Sequence, residues 1–322
     1  MLLPVSWTWN RRETNAVSEF REVMINGAAH TLLIRGADRR NPVIVFVHGG
    51  PGCSEIPYVV KYQKKLERYF TIIHYDQRGS GKSFHKGVDY GDLTVSVLTA
   101  DLREIIDYAC REFKKEKIIL AGHSFGTEIG LRTAAEFPEK ILAYVGIGQM
   151  SYTAEGEMDS LAFCLEGAKR KHRKKDCEAL LALAPEIEAG RTSVPRSYVR
   201  RYGGAARGMN DNADYLTGLL FRPEYSVLDA VKLIRGLSAS RNLYGTTAHE
   251  LAVDVREVRV PCYFLQGKYD YMTSTKIARK YFVELKAPEK EFVLFEKSAH
   301  FPQFEENEKY TDWMREKFGT VK

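Results

Sequence analysis

The stretch IILAGHSFG, residues 118–126, places a serine between two glycines, directly after an apolar run and before a helical pattern. A buried strand followed at once by a helix requires a sharp turn, and Gly122 and Gly126 relieve the steric conflict there. Such a turn exposes the hydroxyl of Ser124 at the N-terminus of the helix, where developing negative charge is favoured. We therefore predict that Ser124 is a catalytic nucleophile, with a purely structural turn as the alternative.

Short apolar runs alternate with helical patterns on both sides of this turn. The runs are 43–47, 70–73, 118–120, 143–147, 262–265 and 292–295, and the helical patterns are 55–69, 95–113, 126–137, 273–285 and 305–318. Continuously apolar strands are typical of sheets covered on both faces. The sequence therefore predicts an α/β fold with a mostly parallel sheet and helices on both faces. Asn26-Gly27, between 19–25 and 28–34, predicts an antiparallel hairpin at one edge.

The strand pattern stops between residues 151 and 250, where helical periodicity takes over. The chain has 322 residues, which is near the upper limit for one hydrophobic core. We therefore expect an α/β core formed by residues 1–150 and 251–322, with 151–250 inserted as a helical cap.

A serine hydroxyl needs a base and a group that orients the base. On a sheet of this kind the acid and the histidine follow the serine in chain order. Asp270 and His300 follow the last two apolar runs, and the carboxyl ends of parallel strands meet at one edge. We predict Asp270 as the orienting acid and His300 as the general base. Asp254 is the alternative acid, although it precedes its strand.

A second glycine motif, HGGPG at 48–52, directly follows the apolar run 43–47. Glycines at this point let the main chain approach a substrate closely and turn an N–H group toward it. We predict that the amides of Gly50 and Phe125 form an oxyanion hole and that Gly49 contacts the substrate. His48 is expected to organise this loop rather than to transfer protons.

Three motifs together carry a family resemblance: HGGPG at 48–52, DQRGSG at 76–81 and GHSFG at 122–126. They resemble the α/β-hydrolase superfamily and, within it, the proline iminopeptidase branch of serine peptidases, which remove an N-terminal residue. The resemblance implies an α/β-hydrolase fold, with the roles already predicted for Ser124, Asp270, His300, Gly50 and Phe125. It also implies that Asp76 and Arg78 brace the loop beside the site.

The chain departs from the branch at two points. The elbow reads GHSFG, where proline iminopeptidases usually have GGSWG. The branch holds the free amine of its substrate with glutamates of the cap, one of them in a motif like RIENHY, which does not occur here. By charge alone, the candidates for this substrate-binding role are Glu155, Glu157 and Glu224, together with Asp211 and Asp214. A carboxylesterase or amidase, and a non-catalytic binding protein on the same scaffold, therefore stay open as alternatives.

The charge and the apolar pattern of the chain indicate which classes of partner to expect. The net charge of +6 arises from six cations in 169–175, and we interpret this run as a solvated helix face rather than a nucleic-acid site. No apolar stretch is long enough to span a membrane, and 1–13 does not resemble a secretion signal. We expect a small-molecule or short-peptide substrate, with no nucleic-acid or membrane partner. The oligomeric state stays open.

Cofactor chemistry is not expected from this sequence. The segment GSGKS at 79–83 resembles part of a phosphate-binding loop, but the glycine required at position 76 is Asp76. His74 and Asp76 lack a third metal ligand at usable spacing. The five cysteines are scattered and odd in number, which indicates reduced thiols in a cytoplasmic protein.

Overall fold

An eight-stranded sheet forms the centre of the protein in a computed structural model, which describes residues 6–240, 243 and 250–319. The strands are β1 (Val17–Ile25), β2 (Ala28–Gly36), β3 (Val43–Val47), β4 (Thr71–Tyr75), β5 (Ile118–His123), β6 (Ile141–Ile147), β7 (Cys262–Gly267) and β8 (Lys290–Phe295). Their order in the sheet is β1-β2-β4-β3-β5-β6-β7-β8. The pairs β1–β2 and β2–β4 are antiparallel, and all the others are parallel. The predicted mostly parallel sheet is confirmed.

The hairpin at one edge is also confirmed. Asn26 and Gly27 both have positive φ angles, 47° and 75°, as a turn matching the twist of two antiparallel strands requires. Ile25 pairs with Ala28 across this turn. The local Asn-Gly signal therefore sets the register of the edge strands.

The described part of the chain also contains twelve α-helices. They are α1 (Ile56–Tyr62), α2 (Val95–Phe113), α3 (Phe125–Glu136), α4 (Thr153–Arg170), α5 (Lys174–Glu188), α6 (Arg196–Tyr202), α7 (Asp211–Phe221), α8 (Val227–Ala239), α9 (Leu251–Asp254), α10 (Thr275–Glu284), α11 (Pro302–Glu305) and α12 (Asn307–Phe318). No helix of the described residues is both long enough and apolar enough to cross a membrane.

The sheet is covered on both faces, which explains its continuously apolar strands. Within β3, Val43, Val45 and Val47 belong to a core cluster shared with α2 and α3. Ile44 and Phe46 point to the other face and belong to a cluster shared with α12. Alternate side chains of a strand lie on opposite faces, so each face of the sheet contributes to its own apolar core.

The helix predicted at 55–69 is shorter than expected. α1 ends at Tyr62, and only a single 3₁₀ turn, Leu66–Arg68, follows. The break turns the buried Gln63 inward, where its side chain bonds the carboxylate of Glu67 and the ring of His74. The prediction of one continuous helix over 55–69 is therefore wrong beyond Tyr62.

The segment between β6 and β7 contains α4 to α8, which we term the helical insertion. It has an apolar cluster of its own, which includes Leu161, Leu180 and Val199. The basic run 169–175 is exposed where α4 passes into α5. Residues 241–242 and 244–249, at the end of the range predicted for the cap, lie outside the described residues, as do 1–5 and 320–322 of the predicted core.

Candidate active site

Ser124 lies at a tight turn between β5 and α3. Its main chain has φ 54° and ψ −125°, a strained conformation for a residue other than glycine. The turn packs closely on β3, because a Cβ at position 126 would lie 2.1 Å from the carbonyl oxygen of Val47. The amide of Ser124 donates to the carbonyl of Ile147 at 2.9 Å. The elbow predicted from the glycine spacing is therefore present, with Ser124 at its apex.

Asp270 and His300 meet at the same edge of the sheet. His300 Nδ1 lies 2.9 Å from Asp270 Oδ2, and both side chains are buried. Asp270 also accepts hydrogen bonds from the amides of Met272 and Thr273 and from the Thr273 hydroxyl. Because a carboxylate only accepts, the proton of a neutral His300 resides on Nδ1, which leaves Nε2 able to act as a base.

The main chain of His300 is held from two sides. Its amide donates to the carbonyl of Ala205 in the helical insertion at 3.0 Å. Its carbonyl oxygen lies 2.8 Å from His123 Nε2. The neighbouring acid loop is held likewise, because the amide of Tyr271 donates to the carbonyl of Gly204 at 2.9 Å. The helical insertion therefore bonds directly to the loops that carry the predicted acid and base.

The end of β6 lies beside both Ser124 and His300. Ile147 accepts the hydrogen bond from the Ser124 amide. A Cβ on the next residue, Gly148, would lie 3.0 Å from His300 Cε1. A glycine at 148, with φ 55°, thus lets the imidazole approach the strand that supports the elbow.

The loop after β3 is fixed through His48. His48 Nδ1 lies 2.9 Å from the carbonyl of Gly49, and its Nε2 accepts from the amide of Gln77 at 3.1 Å. The Gln77 side chain in turn donates to the carbonyl of His48 at 2.7 Å. Burial lowers the pKa of His48, so the ring is neutral and fully engaged in the loop. These contacts agree with an organising role for His48.

Gly49 and Gly50, predicted to face the substrate, lie in the loop beside the elbow. A Cβ at position 49 would lie 2.8 Å from Ser124 Cβ, so only glycine allows this approach. Gly50 has φ 123°, and the peptide between Gly50 and Pro51 is cis. Phe125 is the first residue of α3, where main-chain amides point away from the helix.

The DQRGSG segment braces this region. Asp76 Oδ2 accepts from the amide of Lys82 at 2.7 Å and from the hydroxyl of Tyr225 at 2.6 Å. Arg78 makes two hydrogen bonds of 2.7 Å to Asp101. The lysine of the GSGKS segment is buried, with its ammonium 2.6 Å from Asp229. Lys82 is therefore a structural cation rather than a phosphate ligand.

The carboxylates predicted to bind a substrate amine each contact another group of the protein, and their role toward a substrate stays a prediction. Glu155 is exposed and pairs with Lys280 at 2.6 Å. Glu157 is buried and accepts from the amide of Val194 at 2.8 Å and from the guanidinium of Arg196.

The other acidic candidates are distributed similarly. Glu224 is buried, and its Oε1 accepts from the hydroxyl of Thr8 at 3.2 Å; burial raises its pKa. The remaining ion pairs are Asp211 with Arg200, Asp214 with Lys61 and Asp254 with Arg132. Asp254, the alternative acid, is therefore paired with a cation rather than with His300.

Sequence reasoning missed a buried pair directly beside the elbow. Glu55, which precedes α1, bonds His123 Nδ1 through its Oε1. Burial opposes both charges, but their mutual attraction and hydrogen bonding lower the pKa of Glu55 and raise the pKa of His123. The signal available in the sequence was the histidine that replaces glycine in the elbow motif. No sequence spacing pointed to Glu55 as its partner.

No group of three or more His, Cys, Asp or Glu side chains in the described ranges is arranged to hold a metal ion.

Residues 42–307 match the profile of a protein family described by the alpha/beta hydrolase fold. The chain belongs to the α/β-hydrolase family. The matched range includes the elbow, the glycine loop after β3 and both loops that carry Asp270 and His300. The resemblance carried by the three motifs is therefore confirmed at the level of the family.

Among curated proteins, the chain is 32% identical over 302 residues to a probable aminopeptidase, YbaC, of Bacillus subtilis, covering 91% of this chain and 94% of that protein. It is 23% identical over 305 residues to a proline iminopeptidase of Saccharolobus solfataricus, covering 88% and 86%. The solved structure of a Mycobacterium smegmatis proline iminopeptidase shares the fold, with a TM-score of 0.68 at 14% identity, covering 93% of this chain and 97% of that one.

Proposed function

We propose that this α/β hydrolase is a serine hydrolase that acts by acyl transfer through Ser124. The observation that carries the proposal is the hydrogen bond between His300 Nδ1 and Asp270 at 2.9 Å, at the sheet edge where Ser124 forms the elbow. An imidazole fixed by a carboxylate beside a half-buried serine is an arrangement that can activate a hydroxyl.

In the first half of the reaction, Ser124 Oγ attacks the substrate carbonyl while His300 Nε2 accepts the hydroxyl proton. Asp270 keeps the opposite nitrogen protonated and stabilises the positive charge that forms on the ring. His300 then gives its proton to the leaving group, and an acyl-enzyme ester remains on Ser124. In the second half, a water oxygen attacks the acyl carbonyl while His300 accepts a proton from that water. His300 then returns the proton to Ser124 Oγ as the ester bond breaks and the acid product leaves.

We assign the stabilisation of the tetrahedral oxyanion to the amides of Gly50 and Phe125. The approach of Gly49 to Ser124 brings this loop against the nucleophile, and Phe125 begins α3. Losing one such donor costs about 2.7–4 kcal/mol of transition-state stabilisation in comparable sites. Every step uses side chains and main-chain amides of this chain, and no cofactor.

The substrate we propose is a short peptide with a free N-terminus, from which the enzyme releases the first residue. This assignment is supported by the relatives described as a probable aminopeptidase and as proline iminopeptidases. The helical insertion, within 151–250, would act as the cap that selects this substrate over a core of 1–150 and 251–322. A cytoplasmic location is supported by five cysteines that are all unpaired.

The test combines active-site labelling with matched substrates. A fluorophosphonate probe should label the wild-type protein and Ser238→Ala, which changes an exposed serine of α8, but not Ser124→Ala. Alanyl and prolyl naphthylamides should be hydrolysed, and N-acetylation of the same compounds should abolish turnover. No labelling of the wild-type protein would contradict the mechanism and support a non-catalytic binding protein.

A carboxylesterase or amidase is the second candidate, and one observation favours it. Four of the five acidic candidates pair with lysine or arginine, and Glu224 is buried against Thr8. A site without an acidic group for the amine has no reason to prefer a free N-terminus. Labelling at Ser124 with turnover of p-nitrophenyl acetate alone, or equal turnover of acetylated and free naphthylamides, would assign this activity instead.

A further inference from the structure

The imidazole of His123 lies between two hydrogen-bond acceptors. Its Nδ1 faces Glu55 Oε1, and its Nε2 lies 2.8 Å from the main-chain oxygen of His300. All three residues are buried. A carbonyl oxygen can only accept a hydrogen bond, so Nε2 of His123 must carry a hydrogen. The Nε2–H group of His123 therefore donates the hydrogen bond to the His300 carbonyl.

Glu55 favours the protonated form of His123 and fixes the orientation of its ring. Its second oxygen, Oε2, is buried and has no hydrogen-bond partner among the described residues. The balancing charge in direct contact is therefore that of His123, in agreement with the lowered pKa of Glu55 and the raised pKa of His123. A buried ion pair of this kind resists rotation, because turning the ring would leave the carboxylate uncompensated.

Two hydrogen bonds of the His300 main chain fix the position of its backbone, which the side-chain contact with Asp270 does not fix. Asp270 fixes the rotation of the imidazole, but the position from which the ring projects depends on the backbone. That backbone is held by Ala205 at the amide and by His123 at the carbonyl. Because His123 is covalently joined to Ser124, one elbow holds both the nucleophile and the backbone of its base.

We propose that His123, oriented by Glu55, is a positioning residue that sets the distance between His300 and Ser124. This role rests on the proposed function of Ser124 and His300. It requires the side chain of His123, because the glycine that usually occupies this position in the GGSWG motif of proline iminopeptidases has no side chain to donate.

The experiment uses variants in which no unpaired charge is buried. Glu55→Gln serves as the background, because its amide can donate to Nδ1 of a neutral His123 while Nε2 keeps its hydrogen. Within it, His123→Gln retains an N–H donor for the His300 carbonyl, and His123→Leu removes it. For each variant, kcat and KM are measured per active site titrated with fluorophosphonate, together with the rate constant of labelling.

We expect Glu55→Gln and the Gln double variant to remain within about threefold of the wild-type kcat. The Leu double variant should lose about 10- to 100-fold in kcat and in labelling rate, with KM within about threefold, since a displaced base costs about this much. Recovery by Gln distinguishes positioning from general loss of structure. A Leu variant with the kcat and labelling rate of the Gln variant would overturn the proposal.

The matched control is His30→Leu. His30 is a second buried histidine facing a carboxylate, with Nε2 3.4 Å from Asp101 Oδ2, and it lies on β2. This variant should lower the Tm comparably and leave kcat per titrated site unchanged. An equal loss of kcat in His30→Leu would overturn the role. Failure of the wild-type protein to label at Ser124 would instead remove the proposed function itself, and this role with it.

Discussion

Two carboxylates at the sheet edge pair with histidines, whereas four carboxylates of the helical insertion pair with arginines or lysines. At the edge, Asp270 bonds His300 and Glu55 bonds His123. In the insertion, Glu157 bonds Arg196, and Glu155, Asp211 and Asp214 also pair with lysine or arginine. An arginine stays protonated at any accessible pH, so its ion pair cannot exchange a proton. A histidine can gain or lose a proton near neutral pH. We therefore expect the partner, rather than the carboxylate alone, to help distinguish a catalytic acid from a structural one.

The largest effect is expected at Asp270, the proposed catalytic acid. Asp270→Asn should lower kcat by about 10⁴-fold, because the amide no longer holds the tautomer of His300 that can accept a proton. Asp254→Asn, which alters only the pair with Arg132, should leave kcat unchanged. Rates of naphthylamide or ester hydrolysis per labelled site check both variants. A large loss in Asp254→Asn alone would assign the acid to the alternative position.

Glu157 tests the scaffolding half of the comparison. Glu157→Gln should lower the free energy of unfolding by about 1.5–3 kcal/mol, because charge-assisted hydrogen bonds to Val194 and Arg196 are weakened in a buried setting. Denaturant unfolding measures this loss. Glu155→Gln, at the exposed pair with Lys280, should show no measurable change. A raised KM for free-amine substrates without loss of stability would show instead that Glu157 binds the amine.

Gly204 tests the contact between the two regions. A Cβ there would lie 2.7 Å from Phe163 Cε1 and 3.0 Å from Tyr271 Cβ, so Gly204→Ala should destabilise the protein by about 1–3 kcal/mol. Because the carbonyl of Gly204 holds the Tyr271 amide beside Asp270, kcat should fall as well.

The control for this substitution is Gly156→Ala in α4, where an added Cβ meets nothing within 4 Å. There, helix propensity predicts a gain of up to about 1 kcal/mol and an unchanged kcat. If Gly204→Ala lowered stability but left kcat per titrated site intact, the insertion would be structurally but not catalytically coupled to the acid loop.

The smallest effect expected is a pH dependence of stability from Glu55 and His123. Folding raises the pKa of His123 above 6.5, so its contribution is complete below that value and is lost as the pH rises through the raised pKa. Folding lowers the pKa of Glu55 below 4.5, so its contribution is present above that value and is lost as the pH falls through the lowered pKa.

The two contributions overlap between about pH 4.5 and 6.5. The difference in Tm between the wild-type protein and the double variant Glu55→Gln, His123→Gln should therefore be largest in this window and smaller on either side. Thermal unfolding across the pH range measures it. A difference independent of pH would mean that the pair is not ionised in the folded protein.

Much of the fold was predictable because its signals are local. The helix predicted at 95–113 coincides with α2, and the Asn26-Gly27 turn joins β1 to β2 as expected. The prediction of a helix at 55–69 was wrong after Tyr62, where the buried Gln63 bonds the ring of His74 on β4. Helical periodicity is read from the positions of apolar side chains, so it does not predict that a polar side chain such as Gln63 will be buried.

The sequence by itself determined the sheet, its edge hairpin and the glycine turns at Ser124 and Gly49, because strand burial and steric demands act between neighbouring residues. It also led to Asp270 and His300, since parallel strands end at one edge. Only the tertiary structure decided which carboxylate meets a histidine and which an arginine. Glu55 and His123 lie 68 residues apart, and a contact over that separation leaves no periodic or local trace in the chain.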